Sequence, residues 1–336
     1  MEAWLHGFSF PGRVAALARR AEEQGFDGLL VADSQNLNAD VWVELALAAA
    51  ATERIGLGPG VTNPVTRHPA VTASAAATLQ AETGGRAVLG LGRGDSALAR
   101  LGRPPVSPAA LERALAQVQG FLAGEEVALE DGTRSRIAWL PADGVPKVPV
   151  MVAATGPRTI RAAARHADRL DLCVGAEPAR LRWAVGVARE AAGDRRVSLG
   201  AFVNVAVHPD RAVARDLVRG SVAIFARFAT EGAPADGLSG VTRQGIERLS
   251  RDYDEARHGL AGAAHARALE DDFVDRFAVA GPAGEVTERL AELADLGLSR
   301  VIVVPGSLDA DPALVAETNA SFARDVLPRL RSAGSA

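Results

Sequence analysis

Short apolar runs alternate with helical patterns along the whole chain, and this alternation constrains the fold more than any other feature. Residues 26–32 are the clearest run, nearly all apolar. A strand that is apolar at consecutive positions is buried on both faces, as in a parallel sheet covered by helices. Residues 3–8, 54–57, 86–91, 147–153, 170–174, 197–207 and 300–304 read as further strands. Helical patterns long enough to cross over separate them. One opens at Pro11 and ends at Gly25, and Asp40 is placed to cap the next. Others begin near Pro69, Pro157 and Pro178, and longer ones cover 210–230, 284–296 and 312–330. Eight such units predict a (β/α)8 TIM barrel. The rival, an open doubly wound sheet, more typically carries a glycine fingerprint after its first strand, and none is present.

The regularity breaks twice. Residues 103–140 contain a helix near 108–123 and a weak hairpin around Asp131–Gly132, read as an insertion after strand four. Residues 232–272 are polar and helical in places, read as an insertion after strand seven. The expectation is one domain over 1–336 with these two insertions. The net charge of −4 argues against nucleic acid as a partner. Cys173 is the only cysteine, which excludes a disulfide framework and fits a reducing compartment. No signal peptide or membrane span is read in the first residues, so the expected location is cytoplasmic.

In a barrel the site lies at the C-terminal ends of the strands. Polar groups collect there: His6 and Ser9; Asp33, Ser34 and Gln35; Thr62, Asn63, Arg67 and His68; Arg93, Asp95 and Ser96; Thr155 and Arg158; Ser307. The stretch 56–69 adds three glycines and three prolines between a strand and a helix. In Ala154-Thr155-Gly156-Pro157-Arg158, Thr155 is placed to cap a helix whose N–H groups favour an anion. The histidines are scattered without metal-ligand spacing, so no metal site is expected. Cys173, on an apolar strand, reads as a buried small hydrophobe, and Trp4 and Trp42 read as core.

Gly58-Pro59-Gly60-Val61-Thr62-Asn63-Pro64, followed by Arg67-His68-Pro69-Ala70-Val71-Thr72-Ala73-Ser74, resembles the bacterial luciferase-like flavin oxidoreductases. The branch it is most similar to uses the deazaflavin coenzyme F420, as in methylenetetrahydromethanopterin reductase. Gly25-Phe26-Asp27, the loop 90–96, Ala154-Thr155-Gly156-Pro157 and the end 297–307 follow in the family's order. The resemblance implies a luciferase-like TIM barrel with insertions after strands four and seven. It implies a non-prolyl cis peptide at Gly60–Val61, in a bulge that holds the cofactor ring. It further implies ring, ribityl or phosphate contacts from Thr62, Asn63, Gly92, Arg93, Gly94, Asp95 and Ser96. The phosphate end would lie at Ala154, Thr155, Gly156, Pro157 and Arg158. Asp33 and Ser34 are carried over as the pair facing ring edge or substrate, and Asp33 or His6 as a proton relay. Serine follows the acid at 33–34 where many relatives have histidine. His6 or Ser9 occupies the region where the reductase branch tends to have glutamate.

The expected activity is hydride transfer between reduced F420 and a small organic substrate. The alternatives are an FMN-dependent monooxygenase and a non-catalytic flavin-binding or partner subunit. The family often forms dimers, so a homodimer is a further expectation.

Overall fold

Eight parallel strands close into a barrel. The computed structural model describes residues 1–140, 145–228 and 238–333. The barrel strands are β1 (Glu2–Phe8), β2 (Gly28–Ala32), β3 (Gly56–Pro59), β4 (Leu89–Leu91), β7 (Val150–Ala154), β8 (Arg169–Leu172), β9 (Ser198–Val207) and β11 (Arg300–Val304). The intervening β5 (Val127–Ala128) and β6 (Arg134–Ser135) form a separate antiparallel hairpin between β4 and β7. The barrel order is β3-β2-β1-β11-β9-β8-β7-β4. Parallel bridges Leu57–Ala87 and Thr62–Leu91 join its two ends. Every strand-to-strand pairing in this barrel is parallel, which demands the crossover helices that the sequence pattern supplies.

Local signals set the helix ends. Asp40 accepts hydrogen bonds from the Trp42 and Val43 N–H groups and starts helix Val41–Ala50. Pro69 opens helix Pro69–Glu82, and the His68 ring accepts from the Ala70 N–H as its cap. His68 is absent from the lining of the pocket that opens at the strand ends. Gly25 closes the first helix at φ +82°, a conformation that favours glycine.

The structure departs from the sequence reading in its details. A ninth strand, β10 (Val279–Gly281), pairs in parallel with the end of β9. It is only three residues long, too short to show a period. The final helical stretch contains one π-helical turn at Phe322–Val326. Within 232–272, the described part holds helices Gly240–Asp252 and Ala264–Arg267 and a 3-10 turn at Glu255–Arg257. Residues 232–237 of that insertion, and the end of the expected helix 210–230, lie outside the described residues.

The barrel interior is layered. Near the N-terminal end of the strands, Arg300 and Asp171 form an ion pair with both groups almost completely buried. Above them pack Trp4, Leu30, Val88, Met151, Cys173, Phe202, Ile302 and Val304. Trp4 fits because Gly28 and Gly56 leave its ring room. A Cβ on either glycine would come within 2.5 Å of the indole. Outside the barrel, helices bury a continuous aliphatic and alanine-rich layer against the sheet.

Candidate active site

The β3–β4 seam is where the barrel becomes irregular. Between its two bridges, the β3 side takes one residue more than the β4 side, which makes a bulge. The Gly60–Val61 peptide within it is cis. The seam is closed by Thr62, whose N–H donates to the Gly90 carbonyl and whose carbonyl accepts from the Gly92 N–H. Glycine is required on the facing strand. A Cβ on Gly90 would lie 2.2 Å from the Pro59 oxygen, and one on Gly92 would lie 2.7 Å from Val61 Cγ2.

A pocket opens over this bulge at the C-terminal ends of the strands. The bulge residues Gly60 and Val61 line it, as do His6, Asp33, Ser34 and Thr155. The whole run Gly92, Arg93, Gly94, Asp95 and Ser96 lines it too.

Asp33 is buried at the end of β2. Its carboxylate accepts from Gln35 Nε2 at 2.7 Å and from Arg67 at 3.4 Å. Burial pushes its carboxyl above the usual range, against the opposing pull of Thr62, Arg67 and Gln35. Arg67 is shared with Asp40. A buried acid with a raised pKa at a barrel mouth is suited to proton transfer.

His6 reaches the pocket from β1. Its Nε2 donates to the Gly60 carbonyl at 2.8 Å, tying β1 to the bulge. That bond fixes the neutral tautomer with the proton on Nε2. Burial lowers its pKa to about 4, only partly opposed by the Gly60 carbonyl. The remaining nitrogen, Nδ1, is a buried acceptor without a hydrogen-bond partner. His6 is therefore neutral near pH 7. It offers a pocket ligand an acceptor and is a weak base.

Other expected site residues stand back from the pocket. Asn63 spends its carbonyl oxygen on the Val65 and Thr66 N–H groups, a turn-forming use. Its amide donates to Gln35 Oε1 at 3.4 Å, so Asn63 braces Gln35, which braces Asp33. Thr62, Ala154, Gly156, Pro157 and Arg158 are outside the pocket lining, and Arg158 is exposed.

The capping role expected of Thr155 is corrected. Gly156 is the N-cap of helix Pro157–His166, with no side-chain cap, and the Thr155 hydroxyl donates instead to the Cys173 carbonyl at 3.3 Å. Space above Gly156 is open, since a Cβ there would meet nothing within 4 Å.

The sequence reading missed one wall of the pocket. Phe8 and Phe202 come from strands, and Ile224, Phe225 and Phe228 from helix Arg211–Phe228. Phe202 stacks on Phe225 at 5.9 Å. His258 from the second insertion also lines the pocket. The spacing of Ile224, Phe225 and Phe228 on one helix face was the available signal. Among the described residues, no group of three or more His, Cys, Asp or Glu side chains is placed to hold a metal. No helix among them is long and apolar enough to cross a membrane.

Alanine at Gly92 is expected to weaken ligand binding by about tenfold, roughly 1.4 kcal/mol. The added carbon must displace Val61, a stiff β-branched side chain at the pocket floor. Ligand titration alongside a melting curve checks this. Unchanged affinity would show that Val61 does not set the floor.

Comparison with known proteins agrees with this architecture. The chain is 31% identical to 5,10-methylenetetrahydromethanopterin reductase of Methanolobus tindarius over 304 residues, covering 86% of this chain and 89% of that protein. It is 30% identical to an F420-dependent glucose-6-phosphate dehydrogenase of Beutenbergia cavernae, covering 96% and 94%. The solved coenzyme F420-dependent tetrahydromethanopterin reductase of Methanopyrus kandleri superposes with a TM-score of 0.79 at 24% identity, covering 98% and 99%. Residues 4–300 match the family described as luciferase-like monooxygenase, and the chain belongs to that family.

Proposed function

We propose that this protein is an oxidoreductase passing hydride between coenzyme F420 and a small organic substrate, with the cofactor ring resting on the Gly60–Val61 bulge. One observation carries the reading. The bulge that closes the barrel opens into a pocket bordered by a buried acid of raised pKa, a neutral histidine and an aromatic wall. The relatives whose names specify F420 support the choice of cofactor.

The residues present fit such a group. His6 Nδ1 is a buried acceptor lacking a partner, suited to a ring N–H. Gly92 keeps the floor flat beside Val61, and Gly156 leaves its backbone open for a phosphate tail. When bound, F420 supplies hydride at its ring carbon.

The chain's own residues do the rest. His6 orients the ring edge from a fixed tautomer. Asp33, held by Gln35 and Arg67, exchanges the proton that balances hydride transfer at a substrate oxygen. Phe8, Phe202, Phe225 and Phe228 exclude water. We take the chain as one domain with insertions at 103–140 and 232–272. The described part of the second brings His258 to the pocket and walls the substrate side, whereas the helix of the first packs outside the barrel.

A second reading, an FMN-dependent monooxygenase, is favoured by the description of the matching family. Titration of the purified protein with F420 and FMN, followed by fluorescence, separates the two. F420 is expected to bind at least about tenfold more tightly than FMN, a difference of about 1.4 kcal/mol. Tight FMN binding with negligible F420 binding would overturn the proposal.

A further inference from the structure

His258 is buried, and both its ring nitrogens are engaged. Nε2 lies 3.2 Å from Ser96 Oγ, in the short helix Asp95–Ala99 after β4. Nδ1 lies 2.8 Å from the Tyr253 hydroxyl. Ser96 and His258 both line the pocket, and Tyr253 supports His258 from outside that lining. Tyr253 is itself held in place. Its ring packs on His265 with centroids 4.3 Å apart, and the Arg227 guanidinium sits 4.9 Å from its centroid.

The neighbours determine where the protons lie. Burial, with the positive charges of Arg227 and Arg100 and the nearby His265, lowers the His258 pKa to about 4, so the ring is neutral. The Glu255 carboxylate is 3.8 Å from Nδ1, but it is paired with Arg227. A neutral imidazole donates from one nitrogen and accepts at the other. Nδ1 is the only hydrogen-bond acceptor in reach of the Tyr253 hydroxyl among the described residues, and burial raises the phenol's pKa so that it keeps its proton; the hydroxyl therefore donates to Nδ1. With Nδ1 accepting, the ring proton is on Nε2 and is donated to Ser96 Oγ. A serine oxygen that accepts from histidine has its own proton to give elsewhere. An Nε2–H donor cannot also take the serine proton, so this pair is not an activated nucleophile.

We propose that Tyr253, His258 and Ser96 form an ordered hydrogen-bond chain that presents the Ser96 hydroxyl to the pocket as a donor to an acceptor oxygen of the bound cofactor. This rests on the pocket being the cofactor site. Ser96 follows Gly92 by four residues, Gly92 abuts Val61, and all three line one pocket, so Ser96 faces the same space as the floor on which the ring is proposed to rest. Ser96 touches the ligand. His258 and Tyr253 are positioning residues, through which the second insertion sets the polarity of the opposite wall.

Two measurements on the full chain test this. The first needs no ligand. Long-range proton–nitrogen NMR spectra of protein labelled with ¹⁵N-histidine, assigned by the signal lost in His258→Gln, report the tautomer. The expected form at neutral pH is Nε2–H with Nδ1 unprotonated. Tyr253→Phe, which keeps the aromatic packing, should admit the other tautomer. An Nδ1–H or charged ring in the unsubstituted protein would overturn the proposal.

The second is titration with F420 and with FMN. Ser96→Ala is expected to weaken the cofactor that binds by about 3- to 10-fold, the usual scale of one neutral hydrogen bond. His258→Leu should do the same. His258→Gln, whose amide places an N–H where Nε2–H stood, should restore most of the affinity. Unchanged binding in Ser96→Ala, or equal losses in the leucine and glutamine variants, would overturn the proposal. If the unsubstituted chain binds neither cofactor, the proposed function fails on that result, and the tautomer alone decides the hydrogen-bond chain.

Discussion

Asparagine in place of Asp33 is expected to lower kcat by about 10²–10⁴-fold, the usual range for a lost general acid or base. Cofactor affinity should change little, because the substitution keeps the shape and leaves an oxygen to accept from Gln35. Arg67 keeps Asp40 as its partner. The same variant should melt at a higher temperature near neutrality. The sign follows from the raised carboxyl pKa. A carboxyl whose folded pKa lies above its unfolded value contributes stability in acid, and that stability is lost as pH rises through the folded pKa. At neutral pH the ionised Asp33 therefore weakens the fold, and a neutral amide removes the penalty. The pH–rate profile of the unsubstituted enzyme should carry an ionisation above the ordinary aspartate range, absent from the variant's residual activity. A variant that melts lower and turns over at an undiminished rate per folded molecule would make Asp33 a structural acid.

Such a residue marks how far the sequence can be read. Position at a strand end identified Asp33, His6 and the loop 92–96, because a continuous apolar run such as 26–32 can be buried on both faces only in a parallel sheet. The barrel followed from that, and so did the face on which the pocket opens. What a side chain does once there depends on neighbours distant in the chain. Asn63 and His68 sit among the strand-end polar groups in the sequence, yet a turn takes the Asn63 carbonyl oxygen, a helix cap takes His68 Nδ1, and neither residue lines the pocket. Thr155 and Gly156 exchange roles because the Cys173 carbonyl, on another strand, is in reach of the threonine hydroxyl. Phe225, Phe228 and His258 reach the pocket through the docking of a long helix and an insertion, which local periodicity does not specify. Arg300 begins the apolar strand 300–304, and its charge gives no sign in the sequence of the buried partner around which the barrel closes.

Methionine at Arg300 is expected to destabilise the fold by about 3–5 kcal/mol, the usual loss when one partner of a buried ion pair is removed. Asp171 Oδ1 accepts from Arg300 Nε at 3.0 Å and from its terminal nitrogen at 2.9 Å. Asp171 Oδ2 is buried without a hydrogen-bond partner, so the arginine is the carboxylate's main compensation. Burial already pushes the Asp171 carboxyl above its usual range, with Arg300 holding it down. Without Arg300 the carboxyl rises further, and the stability it contributes in acid is lost as pH increases. The deficit of Arg300→Met should thus be largest near neutrality and shrink in mild acid, as read from urea midpoints. The site also has steric demands: a Cβ on Gly200 would lie 2.0 Å from Asp171 Oδ1, so the pair exists only because β9 has glycine there. Asp171→Asn alone leaves a buried cation and should also destabilise. The double variant Asp171→Asn with Arg300→Met removes both charges and should recover much of the loss, giving a large coupling term. Additive losses would mean that the two charges stabilise the barrel independently. Since the Trp4–Phe202 layer separates this pair from the pocket, turnover per folded molecule should stay unchanged in the double variant.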